Sequence, residues 1–197
     1  IRLAAAHDFP EGRTIEETIE IVQYLEKLGI DAFDIDRGCY ERKQWIVPSI
    51  YAGEACMVDY AAKIKEAVHV PVLSAGTFTP ETAEQALADG KCDIVMFGRQ
   101  LIADPDMPNK ARNGQLETLA PCIGCLLGCV PNMFAGKPIT CAVNPCVGRE
   151  AELKPAAVSK NVVVVGGGPG GLYAAWACAV RGHKVTLLEK NQELGGN

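Results

Sequence analysis

From Asn161 to Leu172 the chain reads N-V-V-V-V-G-G-G-P-G-G-L. Four β-branched residues in a row suit a buried parallel strand, and a glycine-rich turn follows without a break. Within it Gly166, Gly168 and Gly171 are spaced as G-x-G-x-x-G and open a helical stretch over residues 171–181. A second strand, Lys184–Leu188, is followed by Glu189. The glycine pattern alone is weak. Between a strand and a helix, with a carboxylate roughly 20 residues on, it describes a dinucleotide site. The first glycine makes the turn, the second lets a pyrophosphate approach the helix N-terminus, and the third permits helix–strand packing. Glu189 would accept the ribose hydroxyls, which favours FAD or NAD over a 2′-phosphorylated cofactor. The alternative is a purely structural glycine turn. Leu194-Gly195-Gly196, just beyond, is a run that often accompanies FAD.

Upstream lies C-I-G-C-L-L-G-C, residues 122–129, with a further cysteine at Cys141. Cys122, Cys125, Cys129 and Cys141 are thus separated by two, three and eleven residues, the layout of a ligand set. A close C-x₂-C-x₃-C group can wrap one side of an iron–sulfur cube while a distant cysteine closes it. Gly124, Gly128 and Gly136 would let the backbone approach the sulfides. Structural zinc is the rival, although its ribbons more often use two separated C-x₂-C knuckles. Unconnected buried thiols account for Cys56, Cys92 and Cys178 but not for this spacing. Cys146 is near enough to Cys141 to replace it as fourth ligand.

Residues 1–115 alternate strand and helix. Short apolar runs at 1–6, 32–35, 70–74 and 94–97 suit buried parallel strands. Helices are expected over 14–29, where Thr14 and Glu17 form a capping box, over 60–68, and from Thr79, with Pro80 at its first position. Repeated βα units imply a doubly wound sheet or a (β/α)₈ barrel, and four strands make half a barrel. Barrel active sites lie at the C-terminal strand ends. There stand Ala75-Gly76-Thr77 and Phe97-Gly98-Arg99, each a glycine with a hydrogen-bonding neighbour, and together they suggest a phosphate site. Arg2, within a strand, needs an anionic partner if buried, and a flavin N1–C2=O edge is one. His7 at the mouth of the first strand and Tyr40 after the second are candidate active-site residues, with a solvated loop as the alternative for each. Periodicity is lost from 116 to 158, as in a segment folded around a metal. The expected division is therefore 1–115, 116–158 and 159–197.

The chain carries 19 Lys and Arg against 24 Asp and Glu, a net charge of −5, with no basic block for nucleic acid. No apolar run approaches the roughly 20 residues of a membrane span. Nine cysteines without a secretory leader suit a reducing, cytoplasmic setting. The apolar start at Ile1 and the end soon after Glu189 suggest an internal fragment of a longer protein. Alone, such a piece is expected to have no steady-state turnover.

Taken together these residues resemble one family, the flavin- and iron–sulfur-containing branch of the old yellow enzymes. It comprises 2,4-dienoyl-CoA reductase, 2-enoate reductase, bile-acid and flavonoid ene-reductases, and trimethylamine dehydrogenase. The resemblance covers the whole chain and is carried by C-I-G-C-x-x-x-C, the gap to Cys141, and Val143-Asn144-Pro145. It implies the C-terminal half of an FMN-binding barrel, a cluster segment, and the start of a Rossmann-like FAD domain. Arg2 would contact the FMN ring, and Gly76, Thr77, Gly98 and Arg99 its phosphate. Cys122, Cys125, Cys129 and Cys141 would bind a 4Fe–4S cluster. Gly166, Gly168, Gly170, Gly171, Glu189 and Asn197 would line FAD. Electrons would pass from NAD(P)H through FAD, cluster and FMN to the C=C of an α,β-unsaturated carbonyl compound, a small molecule. A homo-oligomer is compatible with the family. An amine dehydrogenase is the alternative activity. Leu126 stands where several relatives carry Asn, and the loop over 38–48 lacks the histidine of dienoyl-CoA reductases. That points towards 2-enoate, steroid or flavonoid substrates.

Overall fold

The computed structural model describes residues 1–196, which divide into two compact units, Ile1–Val147 and Gly148–Asn197. The first is built on a parallel sheet of β1 (Arg2–Ala4), β2 (Phe33–Asp36), β3 (Val72–Ser74) and β4 (Ile94–Val95). These lie side by side in sequence order, with Arg2 opposite Asp34, Phe33 opposite Val72 and Leu73 opposite Ile94. A doubly wound sheet would reverse direction at a switch point, whereas sequential order is how a barrel wall is laid down. β1, β3 and β4 are shorter than their apolar runs and β2 is shifted by one residue, though the ladder continues past β1 and β4 through Ala5 N–H to Asp36 and Met96 N–H to Ser74.

Helix α1 (Ile15–Lys27) begins at the expected capping box. The Thr14 hydroxyl accepts from Glu17 N–H, and the Glu17 carboxylate accepts from Thr14 N–H at 2.8 Å. A single turn, α2 (Lys43–Ile46), follows β2. Helix α3 runs over Val58–Lys65, earlier than the expected 60–68, from an N-cap (Met57) that has no capping side chain. Helix α4 (Pro80–Ala88) starts at Thr79 and Pro80 as the sequence requires. Phe33, Ile35, Val22, Ile64 and Val72 are wholly buried between sheet and helices. Two short helices, α5 (Arg99–Ala103) and α6 (Met107–Arg112), lead into an irregular segment with one further turn, α7 (Val130–Phe134).

The second unit holds β5 (Asn161–Val165), α8 (Pro169–Val180) and β6 (Lys184–Leu188), with β5 and β6 parallel and Asn161 opposite Lys184. The valine run is not covered on both faces as expected. Val162 and Val164 turn inward, but Val163 is 61% and Val165 83% exposed, because α8 packs on one face of a two-stranded sheet. Among the described residues, no helix is long and apolar enough to cross a membrane.

Candidate functional site

The C-terminal ends of β2 to β4, with Arg2 of β1, line a cavity of about 650 Å³. Its wall includes Arg2, Asp36, Gly76, Thr77, Gly98 and Arg99, and it is completed by residues 46–50 and 121–124. Ala75 and Phe97 also line it. Gly76 has φ +123°, and a Cβ there would stand 3.1 Å from the Met57 side chain, so both conformation and space demand glycine. Thr77 is also left-handed, φ +53°, and is held there by its hydroxyl, which donates to the carbonyls of Gly53 and Gly76. Gly98 opens α5, with empty space where a side chain would be.

Arg2 is not the buried arginine expected. Its side chain is 57% exposed, and its Nε pairs with Asp34 at 3.2 Å and Asp36 at 3.1 Å. Residues two apart on one strand face the same way, so β2 presents both carboxylates to one guanidinium. Burial pushes the carboxyls of Asp34 and Asp36 upward, against the pull of Arg2.

A second cavity, about 20 Å³, is lined by Cys122, Cys125, Cys129 and Cys141, together with Arg99 and Ile102. Cys146 is not part of its wall. Cys122, Cys125, Cys129 and Cys141 form no disulfide, and among the described residues no three Cys, His, Asp or Glu side chains are placed to hold a single metal ion. The all-sulfur donor set, rather than the free volume, is what suits a metal centre here.

Side chains from the barrel unit fix this cysteine segment. Gln100, buried on α5, accepts from Cys122 N–H at 2.8 Å and donates to the Ala120 carbonyl at 3.1 Å. Buried Asp104 takes Lys110 Nζ at 2.6 Å and Ala120 N–H at 3.0 Å. Asn144 donates to the Ile102 carbonyl at 2.9 Å. A Cβ on Gly124 would meet Ile50 N at 2.8 Å, and one on Gly128 would clash with Thr140 Oγ1, so both make room for protein. Gly136 has nothing near it and ends α7 at φ +63°.

Burial pushes the Asp104 carboxyl up, but Lys110 and the Ala120 and Asp106 N–H groups outweigh it and hold the carboxyl below the ordinary range. A depressed folded-state value stabilises fully above the unfolded value, about 3.9, and that stabilisation is lost as pH falls through the folded value. Asp104→Asn should therefore cost about 2 kcal/mol at neutral pH, and melting curves of variant and parent should converge below about pH 3.9. A gap that persists at low pH would contradict this. Leu126 has φ +57°, a conformation Asn tolerates far better. Leu126→Asn should raise thermal stability by about 1 kcal/mol, and a destabilised variant would refute that account of the position.

The structure does not bring His7 or Tyr40 to the large cavity. His7 Nδ1 accepts from Arg13 N–H at 3.2 Å and its ring stacks on Phe9, while Tyr40 is 76% exposed. Sequence reading missed Arg37, which pairs with Asp8 and lies 3.6 Å over the Trp45 ring. Tyr60 OH donates to the same carboxylate at 3.2 Å. Only the position of Arg37 immediately after β2 signalled it.

In the second unit, Gly166 and Gly168 form the expected turn ahead of α8, and Gly170 and Gly171 lie in its first turn. Glu189 accepts from Gly167 N–H at 2.6 Å and Asn191 N–H at 2.9 Å, and these bonds hold its carboxyl low. Asn197 lies outside the described residues.

A model of the NADH:flavin oxidoreductase / NADH oxidase family matches residues 1–117, more than half the chain. The chain belongs to that family. A model of NAD(P)-binding Rossmann-like domains matches residues 164–197. It is 41% identical to an NADH oxidase of Thermoanaerobacter brockii over 98% of the chain and 30% of the relative. It is also 41% identical to a cinnamate reductase of Clostridium sporogenes, over 95% of the chain and 29% of that protein. A solved 2-naphthoyl-CoA reductase, in complex with 2-naphthoyl-CoA, superposes with a TM-score of 0.90 at 36% identity, covering 98% of the chain and 30% of the reductase. The chain thus spans about 30% of the length of the relatives it matches. A flavin fits the larger cavity on the structure's own terms. The buried Arg99 Nη1 has no partner, and Gly98 leaves space beside it, as an anionic phosphate requires.

Proposed function

We propose that this chain belongs to an NAD(P)H-dependent reductase of C=C bonds conjugated to a carbonyl group. In this reading FMN sits in the larger cavity, a 4Fe–4S cluster on Cys122, Cys125, Cys129 and Cys141, and FAD on the 166–171 turn with Glu189. Residues 1–115 are then the C-terminal half of the flavin barrel, 116–158 the cluster segment and linker, and 159–197 the start of the FAD domain. The observation that carries the reading is the shared wall: Cys122, Ile123, Gly124 and Arg99 line both cavities. Such a wall suits two electron-carrying groups held side by side. The cinnamate reductase relationship favours an unsaturated carboxylate or related acceptor over an amine donor.

When bound, the flavin supplies hydride transfer and the cluster single-electron transfer. The chain's own residues hold and orient. Gly76 and Gly98 offer close backbone approach to a phosphate, Arg99 a bidentate charge, and Arg2 a cation at the far end of the cavity. Gln100 and Asp104 fix the backbone that carries Cys122. The test is anaerobic assay of the intact holoprotein with NADH and NADPH, against cinnamate, an enone and trimethylamine. Reduction of the first two is expected. Amine-dependent dye reduction without any C=C reduction would overturn the reading.

A further inference from the structure

Arg99 lines both cavities, and its Nη1 is shut off from solvent without a hydrogen-bond partner. Among the described residues it makes no salt bridge, whereas Arg2, Arg37 and Arg149 each have a carboxylate. A buried guanidinium N–H left unpaired is costly, so the position is built for an anion that a carboxylate of this chain does not supply. It is also held tightly. Arg99 is the first residue of α5, and its neighbour Gln100 is tied to the backbone of Ala120 and Cys122. The backbone that carries Arg99 is therefore fixed relative to both the Gly98 turn and the first cysteine of the ligand set.

We propose that Arg99 is a counter-ion shared by the two cavities, so that phosphate in the flavin cavity sets the reduction potential of the cluster. The inference rests on the reading of the two cavities given above. Adding an electron to a centre held by four thiolates adds negative charge, and a cation beside it favours that reduced form. A phosphate dianion on the same guanidinium offsets the cation and makes reduction harder. The coupling is reciprocal: phosphate binding weakens by the factor by which it disfavours cluster reduction. Arg99 is thus a positioning and tuning residue, and the barrel's phosphate subsite becomes a regulator of electron entry.

The experiment is an EPR-monitored redox titration of the cluster in the intact, anaerobically purified holoprotein. It compares FMN-loaded parent, parent depleted of FMN and refilled with riboflavin, and the riboflavin form with added inorganic phosphate. Riboflavin carries the same ring without the phosphate. The riboflavin form should be roughly tenfold easier to reduce at a fixed potential, about 59 mV for one electron, and phosphate should reverse the shift. Arg99→Gln should titrate at lower potential and give one value with either flavin, while Arg99→Lys, which keeps the charge, should retain the response. A cluster potential that ignores both the phosphate and Arg99→Gln would overturn this inference alone. Absence of an EPR-active cluster from the parent would overturn the reading of the site as well.

Discussion

Gly128→Ala should strip the iron from the proposed 4Fe–4S centre. The new Cβ would clash with Thr140 Oγ1 and lie 2.7 Å from the Thr140 carbonyl oxygen. A hydroxyl can rotate away; a carbonyl cannot move without its chain. That chain is bonded to the same glycine, Thr140 N–H donating to the Gly128 carbonyl at 3.1 Å. The contact sits between the residues before Cys129 and Cys141, so forcing it open moves two members of the ligand set apart. Disturbing the support of metal ligands typically costs 10–100-fold in affinity, and iron and sulfide per protein should fall accordingly. Gly136→Ala is the control. It has open space and only a left-handed φ to strain, so it should lose about 1 kcal/mol of stability and keep its iron. Full iron content in Gly128→Ala would mean that the Gly128–Thr140 contact does not build the centre.

Gly171→Ala should abolish dinucleotide binding by breaking the local fold. Its Cβ would clash with the Gly166 carbonyl oxygen and stand 3.0 Å from the carbonyl carbon, both backbone atoms. The helix can accept the methyl only by withdrawing from the turn that closes the site. Overpacking of this kind costs about 3 kcal/mol or more, read as a lower melting temperature together with loss of FAD. Gly168→Ala separates the two consequences. At φ −71° and with nothing within 4 Å, the methyl is sterically free within the protein. It would nevertheless intrude where a pyrophosphate must approach, so flavin should be lost while stability is kept. Equal loss of stability in both variants would contradict these different roles for the two glycines.

Much of the scaffold was legible because local chemistry announces itself. Thr14 with Glu17, and Thr79 with Pro80, fix two helix starts through backbone bonds made within one turn. The 166–171 glycines and the Lys184–Leu188 strand lie where their spacing puts them. Short α5 gave no comparable signal, since neither Gly98 nor Arg99 caps by side chain. Helix α6 carried one that went unused, Pro108 in its first turn, as in α4.

The candidate site was readable as residue types and spacing, not as support. Nothing about Gln100 in a sequence says that its amide will hold Cys122. A single glutamine has no periodicity, and its partners lie about 20 residues on. Arg2 was legible as a residue needing an anion, and Asp34 and Asp36 reach its Nε, because the register of β1 on β2 puts Asp34 opposite Arg2 and Asp36 two residues on along the same face. The left-handed Leu126 was visible only as a departure from relatives; its backbone supplies the physical meaning.

Iron, acid-labile sulfide and flavin content of the intact protein, purified without oxygen, tests the central claim most directly. The account predicts about four iron and four sulfide per chain together with FMN and FAD. Zinc without sulfide would reduce Cys122, Cys125, Cys129 and Cys141 to a structural knot and remove the electron path from the shared wall.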